Sequence, residues 1–340
     1  MTVHLRNLNE QVLVLTGATS GIGLVTARMA AERGARLVLA ARNEDALNRL
    51  CDEINSSGGE AVPVAADVGN EGDVKKIAAE ALNKFSNFDT WVNNAGVSIY
   101  GKLEDVPTED FRQLFETNFW GVVYGSLVAA RNLKIYGGAI INIGSTLSDR
   151  AIPLQGMYCA SKHAVKGFTD SLRMELEAED APVSVTLIKP SAIDTPYKEH
   201  ARNYLDTEPE NPPPVYSPEV VADAILYCAE NQVRDLFVGA AGKALSMLGK
   251  YAPRLSDKYM EATYMGQERS GEPAEPHMQE SLYDSHDSSL SERGGYEGHV
   301  AESSIYTQAS LHPRLAVTGA AALALGAGLA YSAIKRSRTH

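Results

Sequence analysis

The fold of this chain is decided at residues 11–23, which read QVLVLTGATSGIG. The run of Val and Leu is typical of a buried strand, and it is followed at once by a glycine-rich turn. Apolar side chains then recur at spacings of three and four, which predicts an amphipathic helix. A strand, a glycine-rich turn and a helix in this order form the opening unit of a parallel sheet.

Six further apolar runs follow the first one and alternate with helical patterns. They are RLVLA (36–40), AVPVAAD (61–67), TWVNNAG (90–96), GGAIINIGS (137–145), VSVTLIKP (183–190) and DLFVG (235–239). Continuous Val, Ile and Leu strands separated by helices indicate a parallel sheet that is covered on both faces. The sequence therefore predicts an α/β fold with a doubly wound, seven-stranded Rossmann-type sheet, and we expect this domain to cover residues 1–265.

Composition argues against several classes of function. The chain of 340 residues has a formal net charge of -12, and nucleic-acid phosphates are bound by basic clusters, so no nucleic-acid partner is expected. Its three cysteines lie far apart and form no CxxC or Cys/His pattern, which predicts neither a disulfide framework nor a metal site. The polar start, MTVHLRNLNEQ, lacks the apolar core of a signal peptide, so we expect a cytoplasmic catalytic domain.

The character of the sequence changes after residue 265. Residues 266–312 hold nine acidic side chains against two arginines, with many Ser and Gly and no apolar periodicity. We predict a disordered acidic linker here, because such a segment buries too little apolar surface to offset the entropy of the chain. Its four histidines are irregularly spaced, and we interpret them as solvated side chains rather than metal ligands.

A candidate membrane segment follows this linker. Residues 315–334, LAVTGAAALALGAGLAYSAI, carry no charge and precede the basic run KRSR at 335–338. A helix of this length reaches about 30 Å, the thickness of a bilayer core. We predict a membrane-anchoring helix with a basic end at 313–340, and its many alanines leave an interfacial or self-associating helix open. Its topology also stays open, since basic residues favour the cytoplasmic side.

The turn TGATSGIG at 16–23 is a candidate cradle for a dinucleotide. Gly17 permits a tight turn, Gly21 permits close approach of a pyrophosphate, and Gly23 lets the helix pack near the sheet. The N–H groups and positive dipole end of the following helix would face the phosphates. Further contacts in this turn are expected from Thr19, Ser20 and Ile22.

The end of the second strand indicates which dinucleotide is preferred. A carboxylate there would bind the ribose hydroxyls and repel a 2′-phosphate. The sequence instead has Ala40 and Ala41, followed by Arg42, whose guanidinium can bind a phosphate through charge-assisted hydrogen bonds. NADP(H) is therefore predicted over NAD(H), although Glu44 and Asp45 lie close by and would weaken the preference.

Four motifs together resemble the short-chain dehydrogenase/reductase family. They are TGATSGIG (16–23), NNAG (93–96), Ser145 thirteen residues before a tyrosine, and YCASK (158–162). They follow the family's order and spacing, and the resemblance covers about residues 8–240. It implies an oxidoreductase that transfers hydride between a nicotinamide dinucleotide and a carbonyl or alcohol, and that forms a homodimer or homotetramer.

The resemblance also implies roles for single residues. Ser145, Tyr158 and Lys162 would form a catalytic triad, and Asn118 would complete a tetrad as part of a proton relay. The implied cofactor contacts outside the glycine turn and Arg42 are Asp67, Val68, Asn94, Ala95, Gly96, Tyr158, Lys162, Pro190, Ile193 and Thr195.

The spacing of Tyr158 and Lys162 supports that chemistry on physical grounds. Residues four apart lie on the same face of a helix, one turn apart. A phenol has a pKa of about 10, which is too high for a base near neutral pH. We expect the Lys162 ammonium, together with the positive charge of oxidised nicotinamide, to lower the pKa of Tyr158. Ser145 would polarise the same substrate oxygen. Taken singly, Lys162 could equally be a surface charge and Ser145 a strand-end cap.

The substrate loop is expected at residues 191–217, where Tyr197, Tyr204 and Tyr216 are candidates for an apolar pocket. A further helical pattern at 242–261 has an apolar side and could border an entrance for lipid-like molecules. We expect a small-molecule carbonyl or alcohol substrate that is hydrophobic, such as a steroid, retinoid or acyl chain. Two alternatives stay open, a soluble 3-oxoacyl-thioester reductase and a non-catalytic dinucleotide-sensing scaffold recruited to a membrane.

Overall fold

All seven predicted strands form in the computed structural model, which describes residues 3–267, 273–274, 280–285 and 290–312. The strands are β1 (Val12–Thr16), β2 (Arg36–Ala41), β3 (Glu60–Ala65), β4 (Thr90–Asn93), β5 (Gly138–Ile143), β6 (Val183–Pro190) and β7 (Asp235–Val238). Every pairing among them is parallel, and their order across the sheet is β7-β6-β5-β4-β1-β2-β3. The predicted doubly wound sheet is confirmed.

The described residues also form ten α-helices and several shorter elements. The helices are α1 (Gly21–Glu32), α2 (Glu44–Ser56), α3 (Glu71–Phe85), α4 (Thr108–Phe115), α5 (Gly121–Tyr136), α6 (Gly156–Ala178), α7 (Pro218–Glu230), α8 (Ala240–Tyr251), α9 (Pro253–Gln267) and α10 (Ile305–Leu311). Shorter helical turns lie at Leu8–Glu10, Glu116–Trp120 and Thr146–Ser148, and two-residue strands lie at Ile99–Tyr100, Ala192–Ile193, Arg202–Asn203, Val215–Tyr216 and Val300–Ala301.

The sheet is covered on both faces because its strands are apolar on both. In β1, Leu13 and Leu15 face a core layer formed with α1, α2 and α7. Val12 and Val14, which alternate with them, face the opposite layer with α3, α5 and α6. This alternation is the period of two that strand geometry imposes. The continuous Val and Leu run therefore reflects burial on both sides of the sheet.

The connections bring four segments to one edge of the sheet. The chain runs outward from β1 through β2 to β3 and then returns to place β4 on the other side of β1. Ligands of such sheets bind at the carboxyl ends of the strands where the direction of winding reverses. The glycine turn after β1, Asn94 after β4, Ser145 after β5 and Pro190 at the end of β6 all lie at this edge.

The helical pattern at 242–261 forms two helices, α8 and α9, rather than one. The break lies at Ala252, whose φ of -137° and ψ of 62° are not helical. Pro253 follows it, and proline disfavours the helical conformation in the residue that precedes it. The chain therefore changes direction between the two helices.

The described parts of 266–312 pack against the domain. Leu282 is fully buried and Leu311 nearly so, and the short strand Val300–Ala301 pairs with Val215–Tyr216. The expected structureless linker is not what these described residues form. Leu282 and Leu311 pack into clusters formed mainly by residues of the catalytic domain, and average composition does not detect such single buried side chains.

The predicted membrane segment at 315–334 lies outside the described residues. Within the described ranges, no helix has both the length and the apolar character needed to cross a bilayer. The membrane anchor and the homo-oligomer stay predictions from the sequence.

Candidate active site

The glycine turn after β1 has a backbone path that favours glycine. Gly17 and Gly21 adopt φ values of +66° and +50°, in the left-handed region. A Cβ added to Gly23 would lie 1.9 Å from the carbonyl oxygen of Gly17, so the start of α1 and the turn are in direct contact. The Asn94 amide donates to the carbonyls of Thr16 (3.0 Å) and Gly17 (3.1 Å) and so holds the turn against the end of β4.

Two cavities border this turn. One of 640 Å³ lies over the ends of β4, β5 and β6. The predicted site residues that line it are Ile22, Asn94, Gly96, Ser145, Tyr158, Lys162, Pro190, Ile193 and Thr195. The other measures 110 Å³ and lies over the ends of β1, β2 and β3. The predicted residues that line this smaller cavity are Gly17, Thr19, Ser20, Arg42, Asp67, Val68, Ala95 and Gly96.

This arrangement fits a dinucleotide with two ends. Gly96 borders both cavities, and the glycine turn stands between them. A Cβ added to Gly96 would lie 3.4 Å from Asn118 Oδ1 and 3.8 Å from Lys162 Nζ, so this position brings the backbone close to both side chains. Gly21 and Gly23 line neither cavity, and they shape the turn instead.

Tyr158 and Lys162 lie one turn apart on α6 and are both buried. The Lys162 ammonium lies 5.6 Å from the centre of the Tyr158 ring. It donates a hydrogen bond of 2.9 Å to the carbonyl of Ile143, the last residue of β5. Burial lowers the pKa of Lys162 to about 8. This lysine is therefore part of the site and not a surface charge.

Burial within the protein shifts the pKa of Tyr158 in the opposite direction to the shift expected from the charges of Lys162 and oxidised nicotinamide. Burial raises it to about 12, because removing the phenol from water disfavours the charged form. The neighbouring Tyr197 and Ser145 hydroxyls lower this pKa but do not outweigh burial, and the Tyr197 contact is not a well-directed hydrogen bond. Tyr158 is thus a protonated phenol at neutral pH.

Ser145 is both a cap and a cavity residue. It follows β5 and opens the short turn Thr146–Ser148, where its Oγ accepts a hydrogen bond from the N–H of Leu147 at 3.0 Å. Its own N–H donates to Ser148 Oγ at 3.1 Å. These bonds fix the backbone of Ser145, and its hydroxyl still lines the large cavity beside Tyr158.

Asn118 lies away from both cavity walls. It belongs to a π-helical turn, Glu116–Trp120, between α4 and α5, a type of turn that is frequent at functional sites. Its Oδ1 accepts from the N–H of Val97 at 2.8 Å, and its Nδ2 donates to the carbonyl of Val97 at 2.9 Å and to Ser161 Oγ at 3.3 Å. Asn118 therefore ties the segment after β4 to α6, and its proton-relay role stays a prediction.

Several residues of the smaller cavity were not anticipated from the sequence. They are Thr117, His200, Ser281 and Ser285. The two serines come from the segment expected to be disordered. The sequence does contain one indication that this segment packs against the domain, the pair of large apolar residues Leu282 and Tyr283 in a polar stretch.

Comparison with known proteins identifies the family. Residues 11–205 match the family model described as short chain dehydrogenase. The chain belongs to the short-chain dehydrogenase family. This dehydrogenase is an oxidoreductase that acts on CH–OH groups, and its fold binds a nicotinamide dinucleotide.

Relatives of this dehydrogenase have oxidoreductase names. It is 48% identical over 339 residues to an uncharacterized oxidoreductase, YxnA, of Bacillus subtilis, a match that covers 99% of this chain and 94% of the relative. It is 36% identical over 198 residues to 11-beta-hydroxysteroid dehydrogenase A of Sesamum indicum, covering 57% of this chain and 56% of that protein.

Solved structures share the fold. A short-chain type dehydrogenase/reductase from Mycobacterium marinum superposes with a TM-score of 0.60 at 27% identity, covering 68% of this chain and 95% of that one. An alcohol dehydrogenase from Thermococcus sibiricus, complexed with 5-hydroxy-NADP, gives a TM-score of 0.59 at 27% identity, covering 67% of this chain and 95% of that one.

Gly23→Ala should weaken binding of the nicotinamide dinucleotide, measured with NADPH and NADH, by more than about tenfold, because a loss of only about 1.4 kcal/mol has that effect. The added methyl would meet the Gly17 carbonyl and push the turn out of shape. The matched control is Gly167→Ala in α6, where a Cβ meets nothing within 4 Å. Titration of NADPH and NADH fluorescence measures both variants, and equal affinities for the two would contradict the role assigned to Gly23.

Proposed function

We propose that this dehydrogenase uses NADP(H) to interconvert hydrophobic carbonyl compounds and alcohols, with Tyr158 as the acid and base. One observation carries the proposal. Ser145, Tyr158 and Lys162 line the same cavity of 640 Å³, next to a glycine turn of the kind that binds pyrophosphate.

In carbonyl reduction, Ser145, Tyr158 and Lys162 would each have a different role in protonating the substrate oxygen. NADP(H), when bound, would supply or accept the hydride. Tyr158, protonated at neutral pH, would donate its proton to the oxygen as negative charge develops there. The Ser145 hydroxyl would donate a second hydrogen bond to the same oxygen. The Lys162 ammonium, one turn along α6, would stabilise the phenolate that remains.

Arg42 supports the preference for NADP(H). It borders the smaller cavity, where Ala40 and Ala41 place no carboxylate that would repel a 2′-phosphate. Glu44 and Asp45 are exposed in the first turn of α2, where their negative charges interact favourably with the positive end of the helix dipole. The solved alcohol dehydrogenase of Thermococcus sibiricus, with its 5-hydroxy-NADP, points in the same direction.

The walls of the large cavity favour a bulky apolar substrate. The apolar side chains that line the cavity include Leu147, Ile152, and Leu245 and Leu248 of α8. Its volume of 640 Å³, which the substrate would share with the nicotinamide end of the coenzyme, falls within the range of roughly 300–1,000 Å³ that is usual for pockets of drug-sized ligands. Together with the relative named 11-beta-hydroxysteroid dehydrogenase A, this supports a rigid, largely hydrophobic ketone or secondary alcohol as the substrate class.

A panel of steroid ketones, retinal, long-chain ketones and 3-oxoacyl thioesters, followed by NADPH absorbance, tests this function. Tyr158→Phe should lower kcat on the active substrates by about 10²–10⁴, the usual contribution of a positioned proton donor. Its affinity for NADPH should stay near that of the wild type, because the ring is kept. Tyr136→Phe, at an exposed position of α5, is the control and should be fully active. An active Tyr158→Phe enzyme would refute the proton-donor role.

The pH dependence of carbonyl reduction should follow the protonation state of Lys162. Tyr158, with a pKa of about 12, stays protonated across the neutral range. Lys162 loses its charge as the pH rises through about 8, and the phenolate formed in the reaction then lacks its stabilising ammonium. We expect kcat/KM for reduction to be level at low pH and to fall above about pH 8. Lys162→Arg should move the fall to higher pH, since a guanidinium stays charged. A rate that climbs through pH 8 would contradict this assignment.

Arg42→Gln should affect the KM for NADPH and the KM for NADH differently. A hydrogen bond to a charged group contributes about 1.5–3 kcal/mol, so the KM for NADPH should rise by about 10- to 100-fold. The KM for NADH, which has no 2′-phosphate to lose its contact with Arg42, should not rise. Arg112→Gln, at an exposed position of α4, controls for the lost charge. Equal effects on both coenzymes would show that Arg42 does not recognise the 2′-phosphate.

A further inference from the structure

Arg42 already has hydrogen-bond acceptors in the structure. Its Nη1 donates to the carbonyl of Tyr283 at 2.9 Å, and its Nη2 donates to the carbonyl of Ser281 at 2.5 Å. Two backbone oxygens therefore occupy the same fork of donors that would bind the two oxygens of a phosphate. Both oxygens come from the chain beyond the catalytic domain.

The glycine turn has a similar contact. The N–H of Gly21, the first residue of α1, donates to the carbonyl of Ser291 at 2.9 Å. Next to it, Arg28 forms an ion pair of 2.6 Å with Glu292. The N–H of Gly294 also donates to Asp194 at 3.1 Å. One of the donors at the start of the first helix is therefore bonded to the same distal part of the chain.

We name residues 280–285 and 290–296 the strap. Its first part is anchored by Leu282, which is fully buried in a cluster with Val97, Ile99, Leu114 and Tyr158. Polar contacts then hold the strap on either side of that leucine. They are Ser281 N–H to the His200 carbonyl (2.8 Å), Gln113 Nε2 to the Leu282 carbonyl (3.3 Å) and Tyr283 Oη to Asp110 Oδ1 (2.7 Å).

The strap also narrows the cavity that it borders. Ser281 and Ser285 form part of the wall of the smaller cavity, whose volume is 110 Å³. Ligand pockets usually measure at least roughly 300 Å³. The adenosine and 2′-phosphate end of a dinucleotide needs more space than the strap leaves, so the two compete for space as well as for donors.

We propose, on the basis of the NADP(H) function proposed above, that the strap is an intramolecular ligand of the dinucleotide site. NADP(H) binds by displacing the strap carbonyls from Arg42 and Gly21, and the strap thereby sets the affinity for the coenzyme. The apparent dissociation constant equals the intrinsic one divided by the fraction of molecules with the strap displaced. A strap that is docked in nine of ten molecules would weaken binding about tenfold.

Hydrogen exchange of the full-length chain tests displacement directly. The probe is adenosine 2′,5′-bisphosphate, which carries the adenosine and 2′-phosphate end without the nicotinamide. We expect the amides of residues 280–285, including that of Ser281, to exchange faster when the probe saturates the protein. Unchanged or slower exchange of these amides would overturn the proposal, because the strap would then stay in place or close over the ligand.

Variants that weaken the packing of the strap give a second test, in which the affinity for the probe is measured. Leu282→Ala should tighten binding of the probe, by up to about tenfold if the strap is mostly docked, as measured by calorimetry on the full chain. Tyr283→Phe, which removes only the bond to Asp110, should act in the same direction with a smaller effect. The matched control is Leu311→Ala, a similarly buried leucine of α10 that packs in a different core cluster, and it should leave the affinity unchanged.

The outcomes separate this proposal from the function on which it rests. Weaker or unchanged binding by both strap variants would overturn the strap as a competitor. A protein that binds the probe with the expected strap response, yet reduces no carbonyl with NADPH, would contradict the function and leave the strap supported. A protein that does not bind the probe at all would contradict both.

Discussion

The site depends on a small set of hydrogen bonds that join the ends of β1 and β4. Asn94 donates through its side chain to the carbonyls of Thr16 and Gly17, while the Thr16 hydroxyl accepts from the N–H groups of Asn94 and Ala95. These bonds lie where the winding of the sheet reverses. They hold the glycine turn and the segment around Gly96 at a fixed distance, and this creates one cleft from two separate loops.

Burial determines the chemistry inside that cleft. The phenol of Tyr158 and the ammonium of Lys162 are both taken out of water, and desolvation disfavours the charged form of each. The phenol is therefore kept as an acid, and the amine titrates much closer to neutral pH than a free lysine. This combination suits a group that gives a proton to a developing alkoxide. In the proposed function, the cavity that buries these groups would also hold the apolar substrate, so proton transfer and substrate selection would have a common physical origin.

The strap connects the distal part of the chain to the coenzyme end of the same cleft. Its sequence is acidic and polar, and it is docked by the buried Leu282, by hydrogen bonds and by the ion pair of Glu292 with Arg28. The carbonyl oxygens that it presents are ordinary hydrogen-bond acceptors, and a phosphate is a stronger one because it is charged. A contact of this kind can be exchanged for a dinucleotide without unfolding any part of the sheet.

Local pattern was sufficient to predict the seven strands and the glycine turn, whereas Ser145, Tyr158 and Lys162 were singled out by the resemblance to the family. Apolar periodicity and the positive φ angles of Gly17 and Gly21 depend on only a few neighbouring residues, so the sequence itself indicates them. The break between α8 and α9 was also encoded locally, in Pro253, but apolar spacing masked it. The effect of burial on the pKa of Tyr158 and the packing of Leu282 could not be predicted in this way. Both depend on desolvation by side chains that are distant in sequence, and only the tertiary structure brings those side chains together.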